Sequence, residues 1–94
     1  DEAKKVLRIA VARDDQNPCA WQQLGTVYDR MGDPARAALA TAERASMMGD
    51  ARTAAISAGY AMGGIPQNTP DWIRAQDISM TSQHALEDGK KKRR

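Results

Sequence analysis

Apolar residues recur along this chain at three- and four-residue spacings, and Gly, Pro and Asn/Asp punctuation divides the pattern into five stretches. Over residues 2–14, Ala3, Leu7 and Ala10 fall at i, i+4 and i+7 with Val6 beside them. Lys4, Lys5, Arg8 and Arg13 take the other side, which predicts an amphipathic helix. The second stretch is the best defined. Asn17 offers a side-chain oxygen as a cap, and Pro18 takes the first helical position, where its missing N–H costs nothing. Trp21, Leu24, Gly25 and Tyr28 then fall at i, i+3, i+4 and i+7. Gly32 supplies a left-handed stop, and Asp33-Pro34 repeats the cap-then-proline device to open a third helix reaching about Met48. Ala37, Ala38, Thr41, Ala42 and Ala45 give that helix a small-residue surface suited to close approach, and Arg36, Glu43 and Arg44 mark its polar side. Asp50 caps a fourth helix with Ala54, Ala58 and Ala61 at i, i+4 and i+7, helped by Ile56 and Met62 and ended by Gly63-Gly64. After a loop containing Pro66, Thr69-Pro70 opens a fifth helix carrying Trp72, Ile73, Ala75, Gln76 and Ile78. From Ser82 onward the periodicity fades.

The order Trp, two residues, Leu-Gly, two residues, Tyr resembles the first-helix pattern of the tetratricopeptide (TPR) repeat. The punctuation agrees: Gly49-Asp50 follows Gly32-Asp33 by 17 residues, half of the roughly 34-residue TPR period. The first helix is similar to the second helix of such a repeat, with Leu7 where an aromatic is usual. The third departs from the pattern, with Thr41 at the aromatic position and Arg44 at the next small one. The resemblance implies an all-α fold, an antiparallel helix-hairpin stack forming a TPR-like right-handed α-solenoid of about five helices. Its repeat-packing residues are Ala3, Leu7, Ala10, Trp21, Leu24, Gly25, Tyr28, Ala37, Ala54, Ala58 and Trp72. Trp21 and Trp72 stand 51 residues apart, one and a half repeats, so the fifth helix cannot repeat the role of the second. We expect it to leave the superhelical path as a C-terminal capping helix over the last open face. Residues 1–85 are then the helical domain and residues 86–94 a disordered basic tail.

Composition narrows the picture further. The 94 residues make one domain at most. With no Phe, only four aromatics, few β-branched residues and abundant Ala, the chain favours closely packed helices over a sheet. No apolar run approaches the roughly 18 residues of a membrane span. Asp1-Glu2-Ala3-Lys4-Lys5 is no signal peptide and starts in mid-helix, so a fragment of a longer protein is expected. The lone Cys19 excludes an internal disulfide. The net charge of +2 conceals an uneven distribution: Lys90–Arg94 are all basic, which leaves residues 1–89 at −3. A nucleic-acid-binding domain spreads its basic residues over a folded face, so no nucleic-acid partner is expected.

Catalytic chemistry finds no support in the sequence. His84 is the only histidine and lies late in the last helix, so neither a multi-histidine zinc site nor a Cys-His pair is visible. HExxH, GxSxG and GxxxxGK[ST] are all absent. Asp14-Asp15 and Asp33 read as helix-end and cap residues. The chain is therefore expected to hold no catalytic residue, cofactor or metal. Binding is the stronger reading. A TPR-type helix over residues 18–31 points Cys19, Gln22, Thr26, Asp29 and Arg30 toward the concave groove, where a peptide or loop can lie across small and polar side chains. The TPRs that capture chaperone tails use a basic and amide clamp at matching places, which Gln22 and Thr26 do not supply. Met31, Met47, Met48, Met62 and Met80 are read mainly as gap-fillers beneath the loops. A lipid or RNA contact through Lys90–Arg94 is a weaker alternative to a solvated terminus.

Taken together, residues 17–78 resemble the C-terminal TPR-like region of bacterial HtpX/BepA-type zinc metalloproteases. The resemblance is carried by Asn17-Pro18-Cys19-Ala20-Trp21, Tyr28-Asp29-Arg30-Met31-Gly32-Asp33, Ala38-Leu39-Ala40-Thr41-Ala42-Glu43 and Thr69-Pro70-Asp71-Trp72-Ile73-Arg74-Ala75-Gln76-Asp77-Ile78. It implies a periplasmic or envelope protease as parent, its HExxH domain upstream, and a helical region that recruits or orients protein clients. The upstream protease domain is itself a candidate partner; the alternative roles are bracing that domain or acting as a stand-alone TPR adaptor. None of the family's zinc or catalytic residues falls on this sequence.

Overall fold

The computed structural model describes residues 2–92, with side chains through Gly89, and every regular element in that span is an α-helix. The helices are α1 (Glu2–Arg13), α2 (Pro18–Arg30), α3 (Pro34–Met47), α4 (Ala51–Gly64) and α5 (Pro70–Lys92). Four of them open on side-chain caps. Asn17 Oδ1 accepts from the N–H groups of Cys19 (3.1 Å) and Ala20 (3.4 Å). Asp33 and Asp50 accept from the N–H of Arg36 and of Thr53, each at 3.1 Å. Thr69 Oγ1 accepts from Trp72 N–H at 3.3 Å. Each cap satisfies a donor that the first turn leaves open. At Asp50, Thr53 holds the carboxyl below its ordinary range, through its hydroxyl first and then its backbone N–H.

The α2–α3 and α3–α4 turns are copies of each other. Gly32 and Gly49 both sit at φ +77°, where a Cβ would be strained. Their N–H groups donate to Asp29 O (3.1 Å) and Ser46 O (3.2 Å), and the following Asp33 and Asp50 N–H groups reach back to Tyr28 O and Ala45 O at 2.9 Å. This is a Schellman closure. The aspartate that completes it also caps the next helix, so a single Gly-Asp pair stops one helix and starts another. Chain reversal is thereby written into two residues.

The α4 terminus departs from this pattern. Gly63 and Gly64 lie within the last turn of α4, not beyond it, and the chain becomes extended only at Ile65 (φ −94°, ψ 139°). Gly64 serves packing instead: a Cβ there would stand 2.5 Å from the Ala35 Cβ, whereas one on Gly63 would meet nothing within 4 Å. The left-handed residue in this connection is Asn68 (φ +67°), a residue that tolerates that region better than most.

Helices adjacent in sequence pack against each other, and α5 also touches α3. Two apolar clusters result, with α3 contributing to both. In one, Val11, Ala20, Trp21, Leu24 and Tyr28 of α1 and α2 close on Ala40. In the other, Leu39 and Ala42 of α3 meet Ala54, Ala58 and Ala61 of α4 and Ala75 and Ile78 of α5. Ala42, Ala54, Ala58, Ala61 and Ala75 are all 0% exposed, so these backbones meet at alanine thickness. The two tryptophans are not equivalent. Trp21 is buried, and its indole N–H donates to Asp15 O at 2.8 Å. Trp72 is half-buried against the alanine cluster.

Of the expected packing residues, Trp21, Leu24, Tyr28, Ala54 and Ala58 are buried, while Leu7, Ala10, Gly25, Ala37 and Trp72 are half-buried. Ala3 is exposed, and Val11, farther along, supplies the buried anchor of α1. Ile56, expected among the core residues of α4, is 68% exposed. Glu43, expected on the polar side of α3, is buried. Met47 and Met62 pack against the two clusters, whereas Met31, Met48 and Met80 are exposed. Helix α5 outruns its predicted end. Ala75, Ile78, Ser79 and Ser82 form its buried face, and it continues to Lys92 through residues 86–92, where a disordered tail was expected. Good helix formers at Ala85, Leu86 and Glu87 extend a helix already nucleated by packing. Arg93 and Arg94 lie outside the described residues.

The contrast between the adjacent glycines of α4 is testable. Gly64→Ala is expected to destabilise the chain by about 1–3 kcal/mol through overpacking against Ala35. Gly63→Ala should be neutral or stabilising by up to about 1 kcal/mol, as in an open helical site. Urea denaturation of both variants decides it, and equal midpoints would show that α3 and α4 are not in close contact there.

Candidate functional site

Because α2 and α4 both pack on α3 but not on each other, a trough of about 600 Å³ remains between them, floored by α3. Its walls differ in chemistry. Gln22, Thr26 and Asp29 of α2, at i, i+4 and i+7, form a polar side. Ile56 and Tyr60 of α4, one turn apart and 68% and 61% exposed, form an apolar side. The α3 floor is small, Ala37, Ala38 and Thr41, with Gly25 of α2 beside it and Arg44 among the lining residues. A Cβ on Gly25 would sit 3.2 Å from the Ala40 Cβ, so glycine here lets α2 settle close to α3. The Thr26 and Thr41 hydroxyls donate to Gln22 O (3.1 Å) and Ala37 O (3.2 Å) within their own helices. Their oxygens remain open as acceptors.

Three of the five residues expected in a groove therefore lie together, and two do not. Cys19 and Arg30 are exposed outside the lining. At about 100° per residue they lie roughly 60–80° around α2 from Gln22, past the edge of the trough. Sequence reasoning missed Ile56 and Tyr60. The signal was present, since both fall nearly opposite the Ala54–Ala58–Ala61 stripe at helical spacing, and a large apolar pair facing away from a core asks for another partner.

On another side of Trp21, α5 is fastened to the other helices by charge. Arg74 makes a two-point ion pair with Glu43 of α3, through Nε to Oε1 and through Nη2 to Oε2 at 3.0 Å. It also reaches Asp15 at 3.4 Å and lies over the Trp21 ring, 5.1 Å from its centre. Asp71 accepts from Arg36 Nε at 2.9 Å and stands 3.6 Å from Arg8 of α1. Hydrogen bonding to Asp71 raises the Arg36 guanidinium above its ordinary value against the cost of burial, and Glu43 does the same for Arg74. Both arginines thus stay charged throughout the working pH range. Arg74, read in the sequence only as part of a family-like run, is the residue through which α5 reaches Glu43 of α3, Asp15 and the Trp21 ring.

Among the described residues no group of three or more His, Cys, Asp or Glu side chains stands together as a metal site, and His84 is exposed. No helix among them is long and apolar enough to cross a membrane. No family model matches the chain, and neither does any curated protein or solved structure.

The Arg74–Glu43 pair carries its own test. Arg74→Gln leaves the buried Glu43 carboxylate without its cation and is expected to cost about 2–3 kcal/mol, less than a fully buried pair because Arg74 is partly solvated. Asp15→Asn, at the solvated end of the same cluster, should cost under about 0.5 kcal/mol. The double variant Arg74→Met/Glu43→Leu should recover much of the loss. Urea melts of the three give the ranking, and an Arg74→Gln protein as stable as Asp15→Asn would remove the pair from the account of how α5 is held.

Proposed function

We propose that the chain is a protein-binding module, organised as a TPR-like solenoid, that takes an extended segment of another protein in the α2–α4 trough. The observation carrying this reading is the pairing of the exposed Ile56 and Tyr60 with the polar stripe Gln22–Thr26–Asp29 across a floor of small residues. Large apolar side chains left exposed on a concave wall are candidates for contact with a partner. The opposite wall offers amide, hydroxyl and carboxylate groups that suit the alternating polar edge of an extended backbone. The small floor lets that backbone come close. The volume lies within the range of ligand-recognising clefts, roughly 300–1,000 Å³. Support for the TPR-like organisation comes from the two identical Gly-Asp turns 17 residues apart and from the Trp21–Leu24–Gly25–Tyr28 face packed as a unit.

Selection from a displayed random-peptide library on the full chain tests this function. Enriched peptides should carry an apolar anchor. Tyr60→Ala, which removes an exposed side chain and leaves the fold intact, should weaken their binding by about tenfold or more, as loss of an aromatic anchor does. The reading fails if no sequence is enriched, or if Tyr60→Ala and Ile56→Ala both bind the selected peptides as well as the parent does.

The likeness of residues 17–78 to HtpX/BepA-type proteases supports a further proposal: the module belongs to an envelope zinc metalloprotease and presents clients to it. The coding sequence preceding Asp1 decides this. An HExxH motif there is the expected finding, and a preceding domain without one would end the proposal while leaving the peptide-binding reading in place.

A further inference from the structure

The α2–α4 trough carries one charge of each sign, and they stand at opposite ends. Asp29 of α2 and Arg44 of α3 are the charged residues of its lining. Neither side chain has a hydrogen bond or ion pair among the described residues. Arg36, on the same helix as Arg44, is by contrast held by Asp33 and Asp71. The half-buried Arg44 and the exposed Asp29 are thus each left with an open charge facing the trough.

Helix packing fixes where these charges lie. A Cβ on Gly25 would stand 3.2 Å from the Ala40 Cβ and 3.6 Å from the Ala37 carbonyl oxygen, which sets the register of α2 on α3. From that level Asp29 is one turn toward the Gly32 turn, and Arg44 is about one and a half turns the other way along α3. At about 1.5 Å per residue the two levels are roughly 14 Å apart. On the α4 wall Tyr60 stands toward the turn end, where it also neighbours Asp33 and Pro34. With Gly64 placed beside Ala35, α4 runs antiparallel to α3, so Ile56 lies about 6 Å farther toward Arg44. An extended chain matches both spacings. Its side chains alternate between faces, and those two apart recur at about 6.6 Å, those four apart at about 13 Å.

We propose that the trough selects an extended stretch of about five residues with opposite charges at its two ends. The basic end faces Asp29 and the acidic end faces Arg44. The second and fourth side chains are apolar and turn to the other wall, against Tyr60 and Ile56, and the central one is small or polar. This inference rests on the trough being a peptide site and adds what it selects. Solvated charge pairs contribute modestly to affinity, but they reject wrong partners. A segment with two acids sets one of them against Asp29, and a segment with two bases sets one against Arg44. Opposite charges at a fixed separation are therefore the recognition element, and the charge order fixes which way a given segment lies.

Displayed random-peptide selection on the full parent chain and on Arg44→Glu tests the proposal. The parent should enrich peptides with one basic and one acidic residue four positions apart and apolar residues between them. Arg44→Glu should instead enrich two basic residues at that spacing. A synthetic capped peptide with lysine, leucine, serine, leucine and glutamate in that order, between Gly-Ser flanks, supplies the magnitude. At low salt, changing its glutamate to glutamine or changing Arg44→Gln should each weaken binding about three- to fivefold, and both changes together no more than either alone. Asp29→Asn, at an exposed position, should show the same relation to the peptide's lysine, which keeps the test decisive if an Arg44 variant fails to fold. Enrichment of apolar-anchored peptides without the charge pair, identical selections from parent and Arg44→Glu, or no saturable binding of the synthetic peptide would overturn this inference and leave the peptide-binding reading in place. Failure to enrich any sequence on the parent chain would end both.

Discussion

The structure depends on how closely helices can approach α3. Alanine-sized side chains face α2, α4 and α5 from different sides of that helix, and at two points a further methyl would crowd its neighbour: on Gly25 against Ala40, and on Gly64 against Ala35. Each buried alanine removes little apolar surface from water, so an alanine-lined interface gains less from area than from the dispersion contacts of closely spaced backbones. That gain falls off steeply with distance. The sequence therefore cannot exchange these positions for larger residues without separating the helices, and larger side chains gather where α1 meets α2, at Trp21, Leu24 and Tyr28.

Charge completes what alanine packing leaves open. Alanine faces slide easily, because they present few knobs to lock a helix in register. Helix α5 is indexed instead by Asp71 and Arg74, which lie one turn apart and engage Arg36 and Glu43, two turns apart on α3. Buried ion pairs contribute little net stability, yet removing one partner is costly, which makes them effective at fixing a single arrangement. Both recesses are products of this framework. The trough exists because α2 and α4 share α3 without touching, and the smaller recess lined by Arg8, Trp21, Leu24 and Arg74 lies where α1 and α5 make no close backbone approach.

Much of the framework was legible in the sequence because it is local. Caps at Asn17, Asp33, Asp50 and Thr69 and the stops at Gly32 and Gly49 act within a few residues, so their meaning does not depend on the rest of the chain. The face Trp21–Leu24–Tyr28 was legible for the same reason, through helical spacing. Whatever depended on a distant partner was not. Glu43 looks like a surface residue until Arg74, 31 positions later, is brought beside it. Gly63-Gly64 looks like a stop until Ala35 is seen against it. Ile56 reads as core because it is apolar, although its angular position on α4 already sets it apart from the alanine stripe. For the groove, the α2 stripe was readable through Gln22, Thr26 and Asp29, whereas the α4 wall required knowing that α4 returns alongside α2.

Trp21 lines both recesses, and the way it is held determines how they relate. Its indole N–H is tied to the Asp15 carbonyl, one ring face is covered by Arg74, and its body is wedged against Leu24 and its neighbours at 6% exposure. A side chain fixed by a hydrogen bond, a cation and close packing has no second rotamer available without disrupting all three. It therefore behaves as a wall and not as a gate. A segment lying in the trough therefore meets a fixed surface at Trp21, since coupling through a side chain requires two arrangements that a ligand can bias. The element nearest to having such freedom is Arg74, whose guanidinium is shared among Glu43, Asp15 and the Trp21 face.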